Sequence, residues 1–358
     1  MAIRYKEHIA GLPAYKPAKL IAGPAAELVK LSSNENPLGP SPLALEALQA
    51  AIGQVHRYPD AGSGALRESL AAHAGLSAEQ VTCSNGSDEL VLLLCLAFLD
   101  AGDEVVMAEG TFISYLIRTL ELGARPVRVP LREYTHDLAA MAAAVTPRTR
   151  LIFVCNPNNP TGTTNGAAEV RAFLDAVPDD VLVVMDEAYV EFVTRPDYPD
   201  LLPAIRDGRQ NLLLLRTFAK IHGLAGLRLG YAYGHPELIA YLDRARPPFN
   251  VNLLAQVAGQ AALADVEHVA RSRAHTNASR AFFNDELRAM GLSPVPGETN
   301  FVAVPVGDDM AVSEGLRERG YTVTPLSAWG LPGLIRISFG TEEQNRGVIA
   351  ALRATLGR

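Results

Sequence analysis

The sequence predicts an α/β fold in which helices cover both faces of a mostly parallel sheet. Short apolar, β-branched runs alternate with helical stretches rich in Ala, Leu and Glu along the centre of the chain. These runs are apolar on both faces, which is typical of strands buried between helices. A length of 358 residues with 48% apolar residues is enough to bury a core of good size.

Seven central runs are predicted to be strands. They are residues 81–85, 103–108, 125–131, 150–156, 181–187, 211–218 and 228–234. Active sites of such sheets gather at the carboxyl ends of the strands, so polar residues that end these runs become site candidates. The ten-residue apolar run "LVLLLCLAFL" at 90–99 has half the length of a membrane-crossing helix, so we expect a buried helix there.

The two ends of the chain differ from its centre. Residues 1–48 are rich in proline and turn residues, and beyond about residue 250 helix-like stretches precede strand-like runs such as "TNFVAVPV" and "LIRISFG". We therefore predict a large domain of residues 49–249 and a smaller α+β domain formed by residues 1–48 and 250–358.

Charge and cysteine content exclude several classes of partner. The net charge of −7 provides no basic field for nucleic acid or an acidic membrane. Cys83, Cys95 and Cys155 lie far apart without metal or redox spacing, so we expect buried thiols and no metal site. Since the N-terminal stretch "MAIRYKEHIAGLP" also lacks a signal-peptide apolar core, a cytoplasmic location is expected.

Two predicted strands end in residues suited to chemistry. Asp186 ends "VLVVMDEAY", and a carboxylate at that position either caps the next helix or faces a bound cation. The segment "CNPNNPTG", residues 155–162, forms a rigid turn that fixes asparagine side chains.

A third candidate is the segment "SNGSDELVLLL" that begins at Ser84. It indicates a strand, a glycine turn and a helix whose first amides face an anion, although simple helix capping by Ser87 explains the same pattern. The segment matches neither the nucleotide phosphate loop nor the three-glycine dinucleotide pattern, which argues against an NTPase or a nicotinamide-dependent dehydrogenase.

The fourth candidate is Lys220 in "TFAKIHGLAGLRLGY", with Arg228 eight residues later. Most lysines are solvated, but one cofactor would use all four features together. Pyridoxal phosphate has an aldehyde for a lysine, a pyridine nitrogen for an aspartate, a phenolic oxygen for an asparagine or tyrosine, and a phosphate for a helix end and an arginine.

The order of these motifs resembles the histidinol-phosphate aminotransferase family of fold-type-I enzymes. The motifs are "SSNENPLGPSP", "HRYPD", "SNGSDE", "NPNNPTG", "MDEAYVEF", "TFAK" with "GLAGLRLGY", and "RISFGT", and they cover nearly the whole chain. The resemblance implies transfer of an amino group from histidinol phosphate to 2-oxoglutarate in histidine biosynthesis, through Lys220 as the covalent anchor and general base.

The resemblance also implies roles for single residues. Cofactor contacts would come from Asp186 at the pyridine nitrogen, Asn159 and Tyr189 at the phenolic oxygen, Phe112 on the ring face, and Gly86, Ser87, Asp88 and Arg228 at the phosphate. Tyr58 would reach the phosphate in the partner subunit of a homodimer. Substrate contacts would come from Arg336 at the anionic end, Asn159, and Tyr15 and Glu35 at the mouth.

Two residues depart from the pattern of the family. Ala219 stands where the family usually has a serine before the lysine, which removes a hydroxyl contact to the cofactor phosphate. Thr324 stands where members commonly carry an arginine associated with the substrate's phosphate. Thr324 therefore leaves an aminotransferase for phenylalanine or tyrosine open as an alternative, and a threonine-phosphate decarboxylase also resembles this family.

Overall fold

The computed structural model describes Ile3, residues 5–12 and residues 28–358. The strands of this part are β1 (Val29–Lys30), β2 (Val81–Ser84), β3 (Glu104–Ala108), β4 (Arg125–Val129), β5 (Thr149–Cys155), β6 (Leu182–Asp186), β7 (Leu212–Thr217), β8 (Gly230–Gly234), β9 (Phe301–Pro305), β10 (Tyr321–Thr322), β11 (Thr324–Pro325) and β12 (Leu334–Ser338). All seven strands predicted in the centre of the chain are present, with ends shifted by at most two residues.

Helices follow most of these strands. They are α1 (Glu7–Ala10), α2 (Pro42–Ala51), α3 (Gly64–Ala74), α4 (Ser87–Phe98), α5 (Ile113–Glu121), α6 (Leu138–Ala143), α7 (Ala167–Ala176), α8 (Leu202–Arg206), α9 (Pro236–Ala245), α10 (Leu253–Ala264), α11 (Val266–Ala289), α12 (Asp309–Glu318) and α13 (Glu342–Leu356). The apolar run at 90–99 lies in α4, with Leu90 and Leu94 fully buried. None of the helices in the described part has the length and apolar content that a membrane crossing requires.

The large sheet has seven strands in the order β2-β8-β7-β6-β5-β3-β4. The five strands from β7 to β4 pair in parallel, whereas β8 is antiparallel to both β7 and β2. A parallel return needs a crossover, usually through a helix. Only residues 218–229 connect β7 to β8, and they contain no α-helix, so the chain returns antiparallel.

Both faces of the large sheet are buried, which confirms the predicted fold class. On β7, Leu212 and Leu214 join the core on one face while Leu213 and Leu215 join the core on the other. Because side chains alternate along a strand, the unbroken apolar run of β7 supplies both cores. The three cysteines are buried in these cores, as expected from the sequence.

A second region of sheet lies outside the large one. Strands β11, β12 and β9 form an antiparallel sheet, and β1 pairs in parallel with β10. A separate core that includes Leu31, Phe283, Val304, Ile337 and Leu352 packs the helices α11, α12 and α13 onto it. Strand β1 thus joins residues far ahead in the chain, although the predicted domain boundaries near residues 48 and 249 stay a prediction.

Candidate active site

The candidate site lies at the carboxyl ends of the three central strands β5, β6 and β7. Cys155, the last residue of β5, is the register partner of Asp186 at the end of β6, and Asp186 pairs in turn with Leu215 of β7. The turns that leave these strands carry Asn159, Tyr189 and Lys220. The parallel pairing therefore brings together side chains that are more than sixty residues apart in the chain.

Asp186 is a buried carboxylate with two hydrogen-bond donors. Its Oδ2 accepts a hydrogen bond of 2.6 Å from the Tyr115 hydroxyl, and its Oδ1 accepts one of 3.1 Å from the amide of Ala188. Burial raises the pKa of Asp186 to about 6, because desolvation outweighs these two contacts. A buried carboxylate of this kind is stabilised in its charged form by a cation placed beside it.

Tyr115 is a site residue that sequence reasoning missed. It is fully buried on α5, where its ring stacks on Phe153 at 4.6 Å and lies edge-on to Phe112 at 5.5 Å. Phe112 was predicted from the segment "GTFISY", and the tyrosine of the same segment faces Asp186 because it comes nearly one helical turn later.

Lys220 lies in the turn after β7, with its amine facing the N-terminal segment. Its Nζ donates a hydrogen bond of 3.1 Å to the carbonyl of Ser33 and lies 5.8 Å from the centre of the Tyr189 ring. Burial, together with the positive charge of Arg336, lowers the pKa of Lys220 to about 8. The amine is therefore neutral in a large fraction of molecules at slightly alkaline pH.

The turn that carries Lys220 is fixed by the segment before α2. Asn36 donates a hydrogen bond of 2.8 Å to the carbonyl of Ile221, and the amide of Ser41 donates one of 3.3 Å to the carbonyl of His222. Gly223 adopts a φ of +70° and packs so closely on the carbonyl of Gly39 that no side chain fits there.

Tyr189 and Asn34 form a hydrogen-bonded pair beside Lys220. The Asn34 amide donates a hydrogen bond of 2.9 Å to the Tyr189 hydroxyl, and its oxygen accepts one of 2.8 Å from Ser338. Sequence reasoning missed Asn34, although it belongs to the motif "SSNENPLGPSP" from which Glu35 was chosen. Glu35 instead forms a half-exposed ion pair with Lys30 at 2.9 Å.

Arg336 on β12 joins the small sheet to the turn after β5. Its Nη1 donates to Oδ1 of Asn159 at 2.5 Å, and its Nη2 donates to the carbonyl of Ser32 at 2.7 Å and to Oγ1 of Thr324 at 3.2 Å. Its buried Nε has no hydrogen-bond partner among the described residues. Burial lowers the pKa of Arg336 to about 10, so the guanidinium stays charged at neutral pH with its Nε–H unused.

The turn "CNPNNPTG" uses its two adjacent asparagines differently. Asn158 is fully buried and holds the turn: its Oδ1 accepts from Thr111 at 2.8 Å, and its Nδ2 donates to the carbonyl of Gly110 at 3.1 Å. Asn159 is left to accept from Arg336, which leaves the two N–H donors of its amide for a ligand. Both Asn–Pro bonds of this turn are cis.

An anion cradle is present at the start of α4. Gly86 is its N-cap residue with a φ of +83°, and no side chain caps the first amides. A Cβ at Gly86 would lie 2.5 Å from Nη2 of Arg228, and a Cβ at Gly230 would collide with the amide of Ser87. Only glycine at both positions lets Arg228 and the amides of the helix start approach one small space.

The side chains of Asp88, predicted at the phosphate, and Tyr58, predicted at the dimer contact, make other contacts within this chain. The carboxylate of Asp88 accepts from Ser114 and from Arg118, so only its backbone amide faces the cradle region. Tyr58 is 83% exposed and stacks on Phe249 with ring centres 4.7 Å apart. Tyr15 lies outside the described residues.

These features fit pyridoxal phosphate. Among the described residues no cation lies at hydrogen-bond distance from the buried carboxylate of Asp186, which therefore suits a protonated pyridine nitrogen, and the donors of Asn159 suit a phenolate oxygen. The uncapped helix start beside Arg228 suits a phosphate, and the amine of Lys220 suits an aldehyde.

Comparison with known families agrees with this arrangement. A sequence model of the family described as aminotransferase class I and II matches residues 26–352. The chain belongs to the class I and II aminotransferases.

Individual relatives of this aminotransferase are similar over nearly its whole length. It is 46% identical to histidinol-phosphate aminotransferase of Moorella thermoacetica, covering 98% of this chain and 92% of the relative. It is 44% identical to the protein of the same name from Anaeromyxobacter sp., covering 98% of each. The crystal structure of histidinol-phosphate aminotransferase from Sinorhizobium meliloti in complex with pyridoxal-5'-phosphate superimposes with a TM-score of 0.91 at 30% identity, over 100% of this chain and 98% of the other.

The buried charge of Asp186 makes a prediction about stability. Because its pKa is raised from 3.8 to about 6 in the folded protein, stability of the cofactor-free protein falls as pH rises through that window and stays lowered above it. We expect Asp186→Asn to stabilise the cofactor-free protein at pH 8 by about 3 kcal/mol and by roughly half as much at pH 5. Urea unfolding at both pH values measures this difference.

The same variant should bind pyridoxal phosphate more weakly, since asparagine offers no charge to a pyridinium. The matched control is Asp179→Asn at an exposed position, which should change neither stability nor cofactor affinity. A variant that is less stable than the parent at pH 8, with unchanged cofactor affinity, would contradict the assignment.

Proposed function

We propose that this protein is a pyridoxal-phosphate-dependent aminotransferase that converts histidinol phosphate and 2-oxoglutarate into imidazole acetol phosphate and glutamate, a step of histidine biosynthesis. One observation carries the proposal: the amine of Lys220 and the buried carboxylate of Asp186 lie in one site with the unused donor of Arg336. The choice of substrate is supported by relatives of that name at 46% and 44% identity over 98% of the chain.

Each element of the site has a role toward the cofactor in this proposal. When bound, pyridoxal phosphate supplies an electron sink for the electron pair left when a substrate loses its α-proton. Asp186 pairs with the ring nitrogen, Asn159 and Tyr189 donate to the phenolic oxygen, and Phe112 covers the ring. Gly86, Ser87 and Asp88 contribute backbone amides at the phosphate together with Arg228.

Lys220 anchors the cofactor and also moves protons. With a substrate bound, the neutral Nζ of Lys220 would accept the substrate's α-proton and return it later. A pKa of about 8 suits this task, because the amine then gains and loses a proton easily near physiological pH. The hydrogen bond to Ser33 and the contact with Tyr189 keep Nζ within the site.

Arg336 is proposed to hold the anionic end of both substrates. Histidinol phosphate offers a phosphate and 2-oxoglutarate a carboxylate, so one buried guanidinium can serve both halves of the reaction in turn. Its unused Nε is the donor available for this contact, while Nη1 and Nη2 are oriented by Asn159, Ser32 and Thr324.

A second candidate function rests on Thr324. Its hydroxyl accepts from Arg336 and donates to Ser32, so it lies directly beside the proposed anion contact without adding a positive charge. This neutral position favours a donor without a phosphate, such as phenylalanine or tyrosine, and makes an aromatic aminotransferase the alternative to test.

The active form is proposed to be a homodimer in the cytoplasm. The exposed Tyr58 stacks on Phe249, which is 41% accessible, and Ile52 and Val55, six and three residues before it in the chain, are 56% and 58% accessible. Exposed apolar side chains of this kind mark interaction surfaces. The large domain of residues 49–249 and the small domain of residues 1–48 and 250–358 are also proposed, with support from the separate core around Phe283.

The substrate can be identified in a single turnover. Cofactor-loaded protein mixed with histidinol phosphate alone should lose the absorption band of the lysine-bound cofactor and gain that of pyridoxamine phosphate. Lys220→Ala should not complete this conversion. Conversion with phenylalanine but not with histidinol phosphate would transfer the assignment to an aromatic aminotransferase, and loss of carbon dioxide without use of a keto acid would indicate a decarboxylase.

Ala219 makes a prediction about cofactor affinity. Replacing Ala219 by Ser restores a hydroxyl beside the proposed phosphate site, and a hydrogen bond to a charged group contributes roughly 1.5–3 kcal/mol. We expect Ala219→Ser to bind pyridoxal phosphate about tenfold or more tightly, measured by equilibrium titration of the cofactor-free protein. Ala225→Ser, in the turn before Arg228, is the control that should leave the affinity unchanged, and a weaker affinity in Ala219→Ser would refute the placement.

The proposed dimer makes a prediction about mixed subunits. If Tyr58 acts on the partner's site, a dimer of one Lys220→Ala subunit and one Tyr58→Ala subunit has one intact site and one doubly defective site. Mixing the two inactive or weakened proteins under conditions of subunit exchange should restore about a quarter of the parent activity, the statistical share of intact sites. Activity equal to the average of the two separate proteins would mean that Tyr58 does not act on the partner's site.

A further inference from the structure

A buried aspartate at the start of α12 holds the turn between β11 and β12 by hydrogen bonds. Residues Ser327–Trp329 form a short 3₁₀ helix in this turn. The carboxylate of Asp309, only 3% exposed, accepts from the amide and hydroxyl of Ser327 at 2.8 and 2.7 Å and from the amide of Gly333 at 3.2 Å. Both ends of the turn are therefore tied to one side chain at the start of α12.

The same turn packs against the loop that precedes α5. Gly110 has a φ of +68°, and a Cβ on it would lie 2.8 Å from Cγ of Leu331. Gly110 also receives the hydrogen bond from Asn158 that holds the turn after β5. The turn with Trp329 is thus fixed relative to Phe112 and Asn159, although they come from different sheets.

This packing places Trp329 between the anion contact and the aromatic cover of the cofactor site. The guanidinium carbon of Arg336 lies 5.5 Å from the Trp329 ring and 5.4 Å from the Phe301 ring, so the cation is enclosed by two aromatic faces. The Trp329 ring also lies 6.5 Å from the Phe112 ring at an angle of 38°.

Part of the Trp329 side chain and its indole N–H donor are available to a ligand. The side chain is only partly buried, unlike Arg336 beside it. Its indole N–H has no hydrogen-bond partner among the residues that the structure describes. A substrate with its anion at Arg336 and its reacting carbon at Lys220 has to place its side chain in the space that Trp329 and Phe112 border.

We propose that Trp329 is a specificity-determining residue that packs against the ring of the amino donor. This inference rests on the proposed function. An imidazole or phenyl ring gains a contact with the indole face beyond the area that it buries, and a protonated imidazole gains a cation–π interaction as well. The keto acid acceptor has no ring, so it gains nothing from this face and needs only Arg336.

The two half-reactions separate this role from a general structural one. We expect Trp329→Leu to lower kcat/KM for histidinol phosphate by about 10- to 100-fold, from the lost ring contact, and to change the 2-oxoglutarate half-reaction by less than about threefold. Trp329→Phe should retain the donor rate within about threefold because it keeps an aromatic face. Tyr241→Leu, a partly exposed aromatic on α9, is the matched control that should change neither rate.

Two outcomes would overturn the proposal. An equal loss in both half-reactions would mean that Trp329 acts only by orienting Arg336 or by supporting the fold. A loss of less than threefold with the donor would mean that the ring is not contacted. If the parent protein does not convert histidinol phosphate at all, the proposed substrate fails, and the same ratio measured with phenylalanine as donor still tests Trp329.

Fluorescence gives a readout that does not depend on turnover. Trp329 is the single tryptophan of the 358 residues, so tryptophan emission reports this turn alone. Loading the cofactor should quench the emission. An unreactive alkyl phosphate that carries an imidazole ring should then change it, whereas the same phosphate without a ring should leave it nearly unchanged. If the emission does not change when the cofactor is loaded, or changes equally with both phosphates, Trp329 does not lie beside the donor's ring.

Discussion

The buried guanidinium of Arg336 is the constraint on which the candidate site depends. It hydrogen-bonds three separate parts of the chain: the turn after β5 through Asn159, the N-terminal segment through Ser32, and β11 through Thr324. A charged group with 4% exposure is costly to bury unless its donors are used, so these contacts and the flanking aromatic rings hold the small sheet against the large one. The same charge lowers the pKa of Lys220, which links the position of the proposed substrate contact to the reactivity of the amine.

The site also contains charges that act against the stability of the fold. Burial raises the pKa of Asp186 and lowers the pKa values of Lys220 and Arg336. Each shift means that the charged form is disfavoured in the absence of a ligand. By contrast Glu187, next in sequence to Asp186, points to the other face of the sheet and pairs with Arg216 at 2.8 Å. Neighbouring carboxylates thus differ because Glu187 has a cationic partner within the protein, whereas Asp186 is the one that we propose to pair with a cation of the cofactor.

Buried charges that reduce the stability of the ligand-free protein are typical of functional sites. The structure accommodates them because the surrounding backbone is fixed independently of the cofactor. The parallel register sets Asp186 beside Cys155, the contacts of Asn36 and Ser41 set the turn of Lys220, and glycines at 86 and 230 set the anion cradle. Because these constraints come from backbone pairing and close packing, the ligand-binding side chains are oriented before the ligand arrives.

The sequence by itself determined the fold class and singled out the residues that we propose to hold the cofactor. Apolar runs with buried faces marked all seven strands of the large sheet, and the polar residues at strand ends marked Asp186 and Lys220, since both signals are local in the chain. The antiparallel course of β8 was not predicted, because it depends on how few residues are available for a crossover. Tyr58 and the domain boundaries remain predictions from the sequence alone.

Only the tertiary structure decided which side chains surround those residues. Tyr115 meets Asp186 across 71 residues and Asn34 meets Tyr189 across 155 residues, separations that no local pattern reports. Asp88 and Glu35 looked equally suitable in the sequence, yet their carboxylates pair with Arg118 and Lys30. The physical reason is that the residue type determines which groups a side chain can bind. The packing of the sheets and helices determines which of those groups lies within contact distance.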